Sequence, residues 1–157
     1  MNQEEIKNRI YELSEKCDEG NNSEGIEKEL KELLVPFKNG SIGLAQINPI
    51  AGDIEYNAKK VIKYINHAQN IGLDVVVFPE LTLMGYPIED TIDRHPIIVE
   101  ENVKWLKEIA KITKSTSAIV GFVEPRKYDH LTGKKYYNSV AVLQDGKIQG
   151  IDRKSVV

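Results

Sequence analysis

One cysteine, Cys17, is all the sulfhydryl that the 157 residues contain. This excludes an internal disulfide and fits a reducing, cytoplasmic setting. No apolar run approaches the roughly 20 residues a membrane-spanning helix needs. The first residues, MNQEEIKNRI, are charged throughout and do not read as a signal peptide. An excess of positive charge is missing as well: 21 Lys and Arg stand against 24 Asp and Glu, for a net charge of −3. That balance argues against a nucleic-acid or anionic-membrane surface as the main partner. His67, His95 and His130 match no common metal-ligand spacing, and there is no Gly-rich phosphate loop. No metal and no cofactor is therefore expected. What is present is a globular composition, 41% hydrophobic and 29% charged, long enough to bury a core.

Along the chain, Ile6, Ile10, Leu13 and Cys17 fall on one helical stripe, and Ile26, Leu30, Leu33 and Leu34 on another. Gly20-Asn21-Asn22 separates them and Pro36 follows the second, so residues 1–39 read as a helical hairpin extension. Cys17 on the first stripe is expected to be a small core residue. From residue 40 the pattern changes. Ser41–Ile47 is a strand candidate, and Asp53 can cap a helix with Ile54, Ala58, Val61, Ile62, Ile65 and Ala68 inward. Gly72 ends it and a second strand follows, a sequence that implies a parallel pair. After an irregular stretch, Ile88–Pro96, comes a helix with Val99, Val103, Leu106, Ile109 and Ala110 inward and Trp105 at its flank. Ser117–Val123 is a strand stopped by Glu124-Pro125, and Arg126–Lys135 is a hairpin loop, with a solvated role the default for its lysines and arginine. Tyr137–Leu143 and Lys147–Asp152 flank Gln144-Asp145-Gly146, a strong hairpin signal.

The stretch with the most chemical content is Asp74–Pro87, DVVVFPELTLMGYP. Its run Val75–Phe78 suits a strand covered on both faces, and Pro79 stops the ladder so that Glu80 stands just past the strand's end. In α/β sheets ligands bind beyond the carboxyl ends of the strands. A carboxylate there among Phe78, Leu81, Leu83 and Met84 would be desolvated, as a general acid or base often is. A cap or turn carboxylate is the plainer alternative from the local pattern.

Five segments together resemble a known family. IGLAQINPIAGDIEYNAKKVI (Ile42–Ile62), DVVVFPELTLMGYPIED (Asp74–Asp90), AIVGFVE (Ala118–Glu124), YNSVAVLQDGKI (Tyr137–Ile148) and Arg153-Lys154 resemble the nitrilase superfamily of carbon–nitrogen hydrolases. AQINP…GDI with GYPIED is similar, more narrowly, to the amino-terminal glutaminase domain of glutamine-dependent NAD synthetases. The resemblance implies an α/β fold of the α-β-β-α sandwich type, of which residues 40–157 hold the amino-terminal portion. It also implies a Glu–Lys–Cys triad that releases ammonia from an amide such as glutamine through a thioester. Glu80 matches the family's general base and Lys154 the lysine that stabilises the oxyanion. No residue is assigned to substrate binding.

The family's cysteine belongs to a segment after the lysine, and Cys17 precedes the whole matched region. The synthetase half is missing too. The resemblance therefore implies an incomplete glutaminase module of NAD biosynthesis, with another nitrilase-type amidase fragment, or a non-catalytic binding or assembly protein, as alternatives. A small-molecule amide is the expected substrate. A homo-oligomer or a complementary carboxy-terminal chain is the expected protein partner, because a sheet cut off after Asp152 leaves an open edge and an uncovered apolar face.

Overall fold

Two aspartates organise the first half of the computed structural model, which describes residues 40–87, 97–125 and 136–156 together with Glu5, Arg9, Glu12 and Ile92. Asp74 ties the first two strands, β1 (Ile42–Leu44) and β2 (Val75–Val77), at their starts. Its carboxylate accepts from the Ser41 backbone N–H at 2.8 Å and from the Ser41 hydroxyl at 2.7 Å. Those donors hold the Asp74 carboxyl below the usual aspartate range, the hydroxyl contributing most. Asp53 caps the helix between them, α1 (Ile54–Ile71), by accepting from the Tyr56 N–H at 3.1 Å. This satisfies one of the donors a helix start leaves open. Gly72 ends the helix at φ 80°, a left-handed conformation in which a side chain is disfavoured.

The second half adds α2 (Ile97–Ile112), β3 (Ser117–Pro125), β4 (Tyr136–Gln144) and β5 (Lys147–Val156). The five strands form one sheet in the order β1-β2-β3-β4-β5. The first three are parallel and the last three antiparallel. Asp145 and Gly146, at φ 52° and 75°, make the tight β4–β5 turn.

The two faces of the sheet differ. Val76, Ala118, Val120, Ala141 and Leu143 point to one face, and α1 and α2 cover it with Ala58, Val61, Ile65, Ala68, Leu106, Ile109 and Ala110. On the other face, Leu44, Val77, Ile119, Val142 and Gly150 line up as one row across all five strands. Leu44 is 79% exposed, and Val142 is exposed too.

Most expected elements stand close to where the sequence puts them, with several corrections. β1 is three residues long, because the chain from Ala45 on leaves the ladder after one further bond, Ala45 N–H to Val77 O at 2.8 Å. Val75 and Val77 are half-buried instead of covered on both faces, since their side of the sheet carries no layer among the described residues. Glu124-Pro125 does not stop β3 but completes it, paired with Tyr137 and Tyr136. β5 continues past Asp152 to Val156, so Arg153 pairs in the ladder and Lys154 lies within the strand. The proposed hairpin of residues 1–39 lies outside the described residues, apart from Glu5, Arg9 and Glu12, which are helical. The loop expected over residues 126–135 lies outside them as well, as does the stretch 88–96 apart from Ile92.

Two outcomes follow from this architecture. Asp74 stabilises the fold above the ordinary aspartate pKa, and that contribution is lost as pH falls through its depressed folded value. Urea midpoints of the parent chain should therefore drop more steeply on the acid side of about pH 4 than those of Asp74→Asn. The open row should drive association: sedimentation across a concentration series is expected to show dimers or larger species, together with binding of a hydrophobic dye. Leu44→Lys, at an exposed position, should weaken both without lowering the melting temperature. A dye-free monomer would show that the chain closes this face itself.

Candidate active site

The end of β2 is shaped by what lies beneath it. After Phe78, whose N–H bonds Ile119 O at 2.9 Å, the chain turns through Pro79, Glu80 and Leu81 directly over Gly121 of β3. A Cβ built on Gly121 would stand 2.6 Å from the Leu81 nitrogen and 2.7 Å from the Pro79 oxygen. No side chain fits there, and glycine in a strand interior commonly marks such an approach. Leu81 is forced to φ 52°, a left-handed conformation that costs a non-glycine residue roughly 1–2 kcal/mol. Its side chain, 4% exposed, is packed with Met84, Ile92 and Val123, which offsets that cost.

The turn is held on three sides. Thr82 donates its hydroxyl to Pro79 O, and the Leu83 N–H bonds Gly121 O at 3.2 Å. Asn57, fully buried on α1, donates to Leu83 O at 3.1 Å and to Ile50 O at 2.8 Å, and accepts from the Ile50 N–H at 2.8 Å. The loop 45–53 is thereby fastened to the turn, a junction that the Gly52 N–H to Met84 O bond at 2.9 Å repeats. Gly85, at φ 74°, lets the Ile50–Ala51 backbone come within 2.7 Å of where its Cβ would be.

Glu80 stands at the top of this turn and is exposed. The desolvated carboxylate expected from its neighbours is not found. Phe78, Leu81, Leu83 and Met84 are all buried in the core, whereas Glu80 between them is exposed. What positions Glu80 is polar: Asn138 of β4, 9% exposed, donates its amide N–H to Oε1 at 2.5 Å. Beside Asn138, the β4–β5 ladder shifts register. Ser139 pairs with Arg153 and Asn138 with Ser155, so Lys154 is the extra residue of a bulge next to the strand that holds Glu80. The backbone thus brings both expected site residues to one end of the sheet, although the Lys154 side chain lies outside the described residues.

Around the bulge, Glu124 of β3 takes the Arg153 guanidinium in a two-pronged pair, Nε to Oε2 at 2.7 Å and Nη2 to Oε1 at 2.6 Å. Ser139 donates to the same carboxylate at 3.0 Å, and the guanidinium lies 5.1 Å from the centre of the Tyr137 ring. The Glu124 carboxylate raises the pKa of Arg153 above even its usual high value. No group of three or more His, Cys, Asp or Glu side chains able to hold a metal occurs among the described residues. None of the described helices is long and apolar enough to cross a membrane. His95, His130 and Cys17 lie outside the described residues.

Gly121, Asn138, Glu124 and Asn57 escaped the residue-by-residue reading as site residues. Two carried a signal: a glycine inside the strand SAIVGFV, and an asparagine at the head of the apolar run NSVAVL. A buried polar residue is the informative exception in such a run.

The described residues thus form a sheet with a helix layer on one face, a carboxylate turn at the end of β2 and an Arg-Lys pair on β5. Residues 41–156 match the carbon–nitrogen hydrolase family. The chain belongs to that family. Among curated relatives of this carbon–nitrogen hydrolase chain, the glutamine-dependent NAD+ synthetase of Thermotoga maritima is 39% identical over 120 residues, 75% of this chain and 19% of the relative. That of Acinetobacter baylyi is 33% identical over 118 residues, 75% of this chain and 20% of the relative. The chain therefore spans about a fifth of the length of the curated relatives it matches. Among solved structures, the glutamine-dependent NAD+ synthetase of Acinetobacter baumannii superposes with a TM-score of 0.59 at 32% identity, covering 72% of this chain and 20% of that one. A nitrilase-superfamily amidase from Nesterenkonia gives 0.60 at 17% identity, covering 72% and 42%, and supports the fold alone.

The seat of Glu80 can be tested directly. Gly121→Ala must displace the Pro79–Leu81 backbone, and a destabilisation of about 1–3 kcal/mol is expected in urea unfolding. The side-chain amide resonances of Asn138 should shift with it, because their acceptor moves.

Proposed function

We propose that this chain supplies the carboxylate-and-lysine part of an amide-hydrolysing site that acts on glutamine, releasing ammonia for NAD synthesis. The observation that carries the reading is the Asn138-held Glu80 at the end of β2, with the Lys154 bulge next to Asn138. Glutamine is proposed as the amide because the relatives at 33–39% identity are glutamine-dependent NAD+ synthetases. In this reading Glu80 takes the proton of an attacking thiol and delivers it to the departing nitrogen. The C–N bond breaks, ammonia leaves, and a thioester remains for water to hydrolyse. The exposure of Glu80 suits a residue that must meet a substrate and a thiol arriving from outside the turn. Lys154 stabilises the negative oxygen of the tetrahedral intermediate. The thiol comes from beyond these residues, since Cys17 precedes the matched region.

The open row Leu44–Val142 favours a complementary chain or a second copy as the protein partner, laid on the uncovered sheet face.

A chimera in which residues 41–156 replace the aligned segment of the Thermotoga maritima synthetase tests the activity. It should hydrolyse glutamine, and Glu80→Gln should slow it by roughly 10²–10⁴-fold. Lys154→Ala should slow it by about 10²–10³-fold. The chain on its own should release no ammonia, with or without Cys17→Ala. A folded chimera inert towards glutamine, or one indifferent to Glu80→Gln, would overturn the reading.

A further inference from the structure

We propose that Glu124, Ser139 and Arg153 form a positioning clamp that sets the register of β5 and so keeps Lys154 beside Asn138, the residue that holds Glu80. The proposal rests on the reading of Glu80 and Lys154 above.

Three strands meet at one carboxylate. Glu124 belongs to β3, the Ser139 hydroxyl reaches it from β4, and the Arg153 guanidinium reaches it from β5 across the Tyr137 ring. Ser139 and Arg153 are also ladder partners, so the side chains and the backbone specify the same alignment. The planar two-pronged contact fixes direction as well as distance, which a single ammonium could not do.

The need for such a device is visible in the sheet. Among the described strands β5 pairs with β4 alone, so no ladder on its far side opposes a slip. Its register already shifts twice, between Leu143 and Val142 and between Ser139 and Asn138, and Lys154 is the extra residue at the second shift. Moving a strand by one residue turns every side chain to the opposite face. β5 also carries little apolar burial to resist this: Gln149, Gly150, Ile151, Asp152 and Arg153 are all exposed. As an ion pair the clamp contributes little to stability, with the Arg153 side chain 51% exposed. What four convergent contacts supply is alignment, one residue before the lysine.

Zero-length carbodiimide coupling of the whole chain, mapped by peptide mass, reads whether the Lys154 amine touches the Glu80 carboxyl. The exposed pairs Glu55–Lys59 and Glu108–Lys111, each at 2.6 Å, serve as internal controls. Coupling of Glu80 to Lys154 is expected in the parent chain and is lost in Glu124→Gln and Arg153→Gln, with the control pairs and the melt unchanged. Interstrand NOEs between Arg153 and Ser139 and between Ser155 and Asn138 report the register without involving Glu80, and should be lost in the same variants. Ser139→Ala, which removes a single donor, keeps the comparison readable if a charge variant unfolds. Coupling that persists in all variants overturns the clamp, whatever the NOEs do. No coupling in the parent chain, with NOEs lost in the variants, overturns the Glu80–Lys154 reading and leaves the clamp standing. No coupling with unchanged NOEs overturns both.

Discussion

The backbone of Pro79–Leu81 can lie where it does only because Gly121 has no side chain. Everything distinctive about the site depends on that approach. It brings the end of β2 down onto β3, forces Leu81 into a left-handed conformation, and lifts Glu80 to the surface within reach of Asn138. The strain at Leu81 persists because the surrounding contacts over-determine it: Leu83 is bonded to Gly121 and to Asn57, and the Leu81 side chain is buried. Glu80 is thus seated on backbone contacts from below and bonded by the Asn138 amide from the side, while remaining exposed.

The sheet gives this site its setting. Parallel strands β1 to β3 put the carboxyl end of β2 at one end of the sheet, and the antiparallel return through β4 and β5 brings Asn138 and the Arg153-Lys154 pair back to the same end. Helices cover one face with a continuous core, and the other face keeps an apolar row from Leu44 to Val142. Among the described residues, the Glu80 turn thus stands at one end of the sheet and the apolar row lies on the face away from the helices.

Residue spacing alone placed much of this. The helix from Ile54 is written in its cap, its stripe and its terminal glycine, all local properties. Asp145-Gly146 specifies the β4–β5 turn because both positions need positive φ. Glu80 past Pro79 followed from the missing donor of proline. The strand limits were less legible: β1 is shorter than its apolar run, while β3 and β5 run on through Pro125 and Arg153. Strand ends depend on which neighbour is there to bond, and that neighbour is remote in sequence.

Order of elements, helix caps, the hairpin turn and the family motifs were therefore determined by the sequence itself, since each rests on contacts within a few residues or on a recurring pattern. The exposure of Glu80, its bond from Asn138 58 positions away, the left-handed Leu81 and the bulge at Lys154 were decided only by the tertiary structure. Nothing local distinguishes a glutamate aimed inward from one aimed outward. That choice was made by a glycine on another strand, over whose bare backbone the turn rests.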